Sequence, residues 1–128
     1  MPENPPRPTA AELELLTVLW SLGPSTVRDV HEALSRRKPA QYSTVLKFLQ
    51  IMTEKGLVRR NEKQRAHIYE AARPREWTQR QLAGDLLERA FNGSAKSLML
   101  GALSAGKASK AELAEMRKLL DEYEKRTR

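Results

Sequence analysis

In the stretch QYSTVLKFLQIMTEKGLVRR, Gln41 to Arg60, polar side chains recur at a fixed interval: Ser43, Lys47, Gln50 and Glu54 fall at i, i+4, i+7 and i+11. On a helix that spacing lines a hydroxyl, an ammonium, an amide and a carboxylate along one side. Gln41 and Thr44 add an amide and a hydroxyl at the start, and Arg59, Arg60, Lys63 and Arg65 follow. Hydroxyl, amide and cationic groups bond to base edges and phosphate oxygens. The chemistry on offer is therefore recognition and neutralisation of a polyanion.

Charge placement points the same way. Between Arg36 and Arg65 lie nine Lys/Arg and two acids, which is the whole of the formal +7; the remaining residues are balanced at 14 basic and 14 acidic. A solvated surface mixes its signs, whereas cations gathered in one window gain by releasing the counterions of adjacent phosphates.

Bond-making chemistry finds no support. The chain has no cysteine and two histidines, His31 and His67, so no thiolate nucleophile, disulfide or zinc site is expected, and no cofactor. His31 reads as a polar residue at a helix border and His67 as a wing strand residue. Glu12/Glu14 and Glu112/Glu115 are paired carboxylates at helix starts, where capping and the helix dipole account for them. There is no glycine-rich phosphate loop and no Ser/His/Asp arrangement. A non-enzymatic protein is expected. The opening MPENPPRPT has no apolar core, and no apolar run approaches the roughly 20 residues of a membrane span; the expected location is the cytoplasm.

The elements that must hold the recognition face can be read outward from it. Residues 1–8 are proline-rich and read as a flexible tail. Thr9 with Glu12 forms a capping box that opens helix one, residues 10–22, with Leu13, Leu16, Leu19 and Trp20 inward. Gly23 and Pro24 stop it, Gly23 suiting a left-handed position, and Ser25 or Thr26 caps helix two, TVRDVHEALSRR, with Val27, Val30 and Leu34 inward and basic residues in its last turn. Helix three, with Ser43 as its candidate cap, buries Val45, Phe48, Leu49 and Met52, and ends at Gly56. Two strands, residues 57–61 and 66–70, then flank a charged turn, with Val58 and Ile68 as inward anchors.

Three helices followed by a basic hairpin is the order of a winged helix-turn-helix, with residues 41–55 as the recognition helix in the major groove and residues 57–70 as the wing on the backbone. LTVLWSLGPSTVRDVHEAL, YSTVLKFLQIMTEKGLVRR and RAHIYEA carry this further. In the order and spacing of Trp20 with Gly23-Pro24, Thr26-Val27 with Val30, Ser43-Thr44-Val45 with Leu49, and Glu54 to Val58, the chain resembles the penicillinase repressor family (BlaI/MecI/CopY type) of bacterial transcriptional regulators. The resemblance covers residues 13–71 closely and the rest loosely. It implies a homodimeric repressor on a palindromic double-stranded DNA operator, with Ser43, Thr44 and Lys47 at the DNA face and Arg60, Lys63 and Arg65 on the wing.

Three positions depart from the family. Many relatives carry a basic residue where this chain has Ile51, which removes one implied phosphate contact. The antibiotic-sensing branch loses activity when a membrane sensor-protease system triggers cleavage at an Asn-Phe bond; Gly101-Ala102 stands there, so cleavage at that bond does not carry over. The copper-responsive branch senses metal through C-terminal cysteines, and this chain has none.

Residues 9–73 thus form the expected DNA-binding domain and residues 74–128 a helical dimerisation domain. In the latter, Leu82, Leu86, Leu87, Ala90 and Phe91 make one apolar stripe, broken at Asn92-Gly93. Ser94 caps a short helix with Leu98, Met99, Ala102 and Leu103. After SAGKAS, Ser109 with Glu112 opens a last helix carrying Leu113, Met116, Leu120 and Tyr123, with Leu119 alongside. Helices this short cannot bury such stripes alone, and a second copy would cover them. Trp20 reads as core, and Trp77 as a link between the two parts. Two other functions fit the same composition: a winged-helix protein-interaction module for an acidic partner, and a ligand-sensing regulator with an apolar pocket among the C-terminal helices.

Overall fold

The computed structural model describes residues 7–127; the first six residues of the predicted tail lie outside them. The described residues are mainly helical: α1 Ala10–Leu22, α2 Val27–Ser35, α3 Tyr42–Lys55, β1 Val58–Asn61, β2 Ile68–Ala71, α4 Arg75–Ala90, α5 Ala95–Ser104 and α6 Lys110–Arg126. Three helices and a hairpin followed by three more helices is the winged-helix plan with a helical region after it. The chain divides into two compact units, Met1–Ala83 and Gly84–Arg128, the boundary falling within α4.

The core of the first unit is built where the apolar spacings meet. Leu15, Leu16, Val18 and Leu19 of α1, Val27, Val30 and Leu34 of α2, Val45, Leu49 and Met52 of α3, and Val58 and Tyr69 of the hairpin are all buried. Each buried aliphatic side chain contributes about 1.5–3 kcal/mol. Helix α1 buries Leu15 and Val18 in addition to the single predicted stripe, because it packs against α2 and also against β2. Leu13, Trp20 and Phe48 are half-buried at the core's rim.

The helix ends follow local chemistry. Thr9 and Glu12 form the reciprocal capping box, and Thr26, rather than Ser25, does the same with Asp29. Gly23 adopts φ +80° with an extended ψ of −165°, a backbone that glycine tolerates but not the left-handed helical basin predicted for it. Helix α2 stops two residues short of the predicted end. The Arg37 and Lys38 amides both fold back to the Leu34 carbonyl, and Pro39 disfavours helical backbone at Lys38. Arg36 is consequently the C-cap, and no basic residue lies in the last turn.

Helix α3 begins one residue before Ser43. Its N-cap is Gln41, which makes no side-chain capping bond, and the first turn closes through the Thr44 and Val45 amides on the Gln41 carbonyl. At the other end Gly56 is left-handed, φ 80° and ψ 13°, and the Leu57 amide reaches back to the Met52 carbonyl at 2.9 Å. That bond draws the Leu57 amide into the helix cap, so β1 starts at Val58 rather than at Leu57.

The hairpin register corrects one predicted anchor. Val58 pairs with Ala71, Arg59 with Glu70, Arg60 with Tyr69 and Asn61 with Ile68. Alternate residues share a face, so Val58 and Tyr69 point inward together, Tyr69 only 1% exposed, while Ile68 falls on the other face. Tyr69 is also the residue through which β2 meets the α1–α2 loop: Ser25 and Tyr69 exchange backbone hydrogen bonds of 2.9 and 2.7 Å. The connecting loop runs over residues 62–67, longer than the predicted turn, and His67 sits just before β2.

The second unit is different in kind. Neither α5 nor α6 buries a residue, and the one buried residue of α4, Thr78, lies in the first unit. Ser94 caps α5 by accepting from the Ser97 amide. Ser109 caps α6 by accepting from the Glu112 amide, without the reciprocal bond of a full capping box.

One ion pair ties the first unit together. Glu12 is 3% exposed, and its Oε1 accepts from the Thr9 amide at 2.9 Å and from Lys55 Nζ at 2.7 Å. It joins the start of α1 to the end of α3. Burial pushes this carboxyl up, but the Lys55 and Thr9 hydrogen bonds outweigh it and hold the pKa below its ordinary value. A depressed folded-state pKa stabilises fully above the unfolded-state value and is lost as pH falls through the folded-state value. Glu12→Gln is expected to cost about 1–2 kcal/mol in urea unfolding near pH 7, with the difference from the unsubstituted protein shrinking toward pH 3; a constant difference across that range contradicts the ion-pair account.

Candidate nucleic-acid interface

Because Val45, Leu49 and Met52 face the core, α3 must turn its other side outward. Gln41 at the N-cap, Ser43 and Thr44 in the first turn, and Lys47, Gln50 and Glu54 beyond them are all exposed. The five predicted recognition residues from Gln41 to Gln50 therefore lie on the outward side of one helix. Ile51 is 37% exposed, so it is not absorbed into the core in place of the cation it lacks.

The nine cations of the basic window divide into two sets. Four are held by carboxylates: Lys38 by Glu14 at 2.8 Å, Lys55 by Glu12 at 2.7 Å, Arg59 by Glu70 at 3.5 Å, and Arg60 by Glu62 at 2.7 Å. Among the described residues, Arg36, Arg37, Lys47, Lys63 and Arg65 make no ion pair. Lys47 stands on the exposed side of α3, and Lys63 and Arg65 on the loop of the hairpin. These are the cations with no protein carboxylate to give up when a phosphate approaches.

The two wing arginines have distinct environments. Arg59 is on the outer face, its side chain 66% exposed. Arg60 shares the inner face with Tyr69. The Tyr69 hydroxyl first, then the Glu62 carboxylate, hold its guanidinium charged and push its pKa above the ordinary arginine value. Arg60 thus serves the wing's own structure as well as any partner. Pro24, Arg59, Arg60, Asn61, Glu62, Lys63, Ile68 and Glu70 line an open groove along this hairpin.

Several contacts had no signal in residue spacing. His31 is within α2, half-buried, not at a helix border; its Nε2 lies 2.8 Å from the Ala40 carbonyl, and its ring meets Tyr42 edge-on at 5.7 Å. Tyr42, absent from the predicted set, is 48% exposed in the first turn of α3. Trp20 donates from Nε1 to the Arg73 carbonyl at 3.0 Å, which pins the segment leading into α4, and the Arg73 guanidinium lies 4.6 Å from the Trp77 ring centroid.

Of the predicted dimerisation residues, Leu82, Leu86 and Leu87 lie on α4, Leu98 and Leu103 on α5, and Leu113, Met116, Leu120 and Tyr123 on α6, while Phe91 lies just beyond the end of α4. Leu86, Leu120 and Tyr123 are 47%, 53% and 62% exposed, while Leu82, Leu87, Phe91, Leu98, Leu103, Leu113 and Met116 are only half-buried. Leu100, which falls outside the predicted stripes, is 56% exposed, and Leu119 62%. The Phe91 ring lies against Gly101 of α5, where an added Cβ would touch it at 3.5 Å.

Among the described residues no helix is long and apolar enough to cross a membrane. The penicillinase repressor family matches residues 8–122. The chain is 37% identical over 90 residues to the transcriptional regulator BlaI of two Mycobacterium tuberculosis strains, an alignment that covers 70% of this chain and 65% of the relative, slightly under two thirds of its length. It is 24% identical over 121 residues to the penicillinase repressor of Bacillus licheniformis, covering 94% of each.

The division of the cations generates a stability prediction. Arg60→Ala lowers the urea midpoint, because it removes the ion pair with Glu62 on the hairpin, whereas Lys63→Ala leaves the midpoint in place; equal midpoints for the two variants contradict the division.

Proposed function

Because the chain belongs to the penicillinase repressor family of transcriptional regulators, we propose that it is a sequence-specific DNA-binding repressor acting as a homodimer on a palindromic operator. The observation that carries this is the back-to-front design of α3: an inner stripe locked in the core and an outer row of Gln41, Ser43, Thr44, Lys47 and Gln50 left wholly to solvent. An α-helix fits the major groove of B-DNA, where amide and hydroxyl groups distinguish base pairs. Lys47 on the helix, and Lys63 and Arg65 on the wing, neutralise flanking phosphates, with Arg59 and Arg60 contributing from within ion pairs. Membership in a repressor family gives the DNA role precedence over the protein-interaction module with an acidic partner.

The C-terminal helices supply the dimer. A unit of 45 residues, Gly84–Arg128, in which no described residue is buried cannot be stable by its own packing. A second copy of the same helices covers Leu86, Leu119, Leu120 and Tyr123, and the two-fold axis that relates the copies matches the dyad of the operator. The place of action is the cytoplasm, where the DNA is. Release by a membrane sensor-protease has no matching Asn-Phe bond at Gly101-Ala102.

Fluorescence anisotropy with duplexes tiled across the DNA upstream of the protein's own gene, against a scrambled duplex, tests the DNA role. One dyad-containing tile should be preferred by about 4 kcal/mol or more. Lys47→Ala, Lys63→Ala and Arg65→Ala should each reduce the log-log salt slope by about 0.9 per lost contact, or about 1.8 for a dimer that carries the substitution in both copies. Equal binding to every tile overturns the specific-repressor assignment, and an unchanged slope overturns that residue's phosphate contact. For the dimer, truncation after Asn92 should give a monomer in sedimentation; a truncated chain that remains dimeric shows that the interface lies elsewhere.

A further inference from the structure

The turn from α2 into α3 decides where the recognition helix begins, and it is sparsely bonded. Its first half is closed by the Arg37 and Lys38 amides on the Leu34 carbonyl. Pro39 has no amide hydrogen to donate. Helices α1, α2, α5 and α6 each start on a threonine or serine that accepts a backbone N–H, but the Gln41 side chain makes no such bond. The entrance to α3 is instead fastened from α2. His31 Nε2 is 2.8 Å from the carbonyl of Ala40, and a carbonyl can only accept, so the imidazole carries its proton on Nε2. The same ring packs edge-on against Tyr42, at 5.7 Å and 73°. One side chain therefore touches the residues on both sides of the uncapped Gln41.

We propose that His31 is the positioning residue of the recognition helix, setting the place and direction of the first turn of α3 through the Ala40 carbonyl and the Tyr42 ring. This inference rests on the DNA-binding function proposed above. His31 itself is half-buried on α2 and outside the recognition row; its effect reaches DNA through Gln41, Ser43 and Thr44. Base-edge hydrogen bonds depend on placement to a fraction of an ångström, whereas phosphate attraction tolerates a shifted helix end. A loosened entrance accordingly costs sequence discrimination and spares general DNA affinity.

Three variants separate this role from simple packing. His31→Leu keeps an apolar body and removes the donor, His31→Gln restores an N–H of similar reach, and His31→Asn offers one that falls short of Ala40. His31→Leu is expected to bind the preferred promoter tile about tenfold more weakly, with affinity for the scrambled duplex within about twofold of the unsubstituted protein, and His31→Gln to recover most of the loss. Hydrogen exchange without DNA supplies the independent readout: the Thr44 and Val45 amides exchange about tenfold faster in His31→Leu, while the Leu49 and Met52 amides do not change. If His31→Leu fails to fold, His31→Asn takes its place with the same expected pattern. Unchanged exchange at Thr44 and Val45, parallel loss of tile and scrambled binding, or failure of glutamine to rescue overturns the proposal. If the unsubstituted protein prefers no tile, the sequence-specific DNA-binding function falls, and the exchange measurement alone decides whether His31 holds the turn.

Discussion

Val45, Leu49 and Met52, each no more than 1% exposed, lock one side of α3 against its neighbours, and the rest of the first unit is arranged around that contact. A helix held only by its back is free to slide or rock unless its ends are also fixed. The C-terminal end is fixed twice, by the left-handed Gly56 with the Leu57 amide folded back to Met52, and by Lys55 reaching Glu12 on α1. Its N-terminal end depends on a turn with few bonds. The outward row of polar groups is a consequence of this packing: with the apolar stripe buried, Gln41, Ser43, Thr44, Lys47 and Gln50 have nowhere to go but solvent.

Charge is apportioned between folding and recognition within the same short window. Lys55 and Lys38 bind carboxylates of α1, and Arg60, paired across the hairpin with Tyr69, binds Glu62. These cations are partly committed before any partner arrives. Arg36, Arg37, Lys47, Lys63 and Arg65 are not, and they lie at the end of α2, on α3 and on the wing loop. A count of lysines and arginines treats all nine alike; the distribution of carboxylates around them makes the difference.

Legibility from sequence followed the range of the interaction. The 3.6-residue spacing of Val45, Leu49 and Met52, and the Thr9–Glu12 box, are local patterns, and α1 and the buried face of α3 could be read directly from them. The hairpin's inward residue could not, because register depends on a partner strand: the pairing of Arg60 with Tyr69 turns Tyr69 inward and Ile68 away. The absence of a side-chain cap on α3 was equally hidden, since Ser43 has the right chemistry but sits one residue inside the helix. Glu12–Lys55 and His31–Ala40 join residues 43 and nine positions apart, and no short-range spacing signals either contact. In the second unit the apolar stripes were legible as stripes, and in the proposed dimer a second copy covers them.

In the proposed complex, α3 from each of two copies enters the major groove of a dyad-symmetric site. Hydroxyl-radical footprinting of the full-length protein on its own promoter DNA tests it most directly. The predicted result is two protected patches on one face of the duplex, related by a dyad and centred about one helical turn or a whole multiple of it apart. A single unsymmetrical patch, or even protection along the whole fragment, would contradict it.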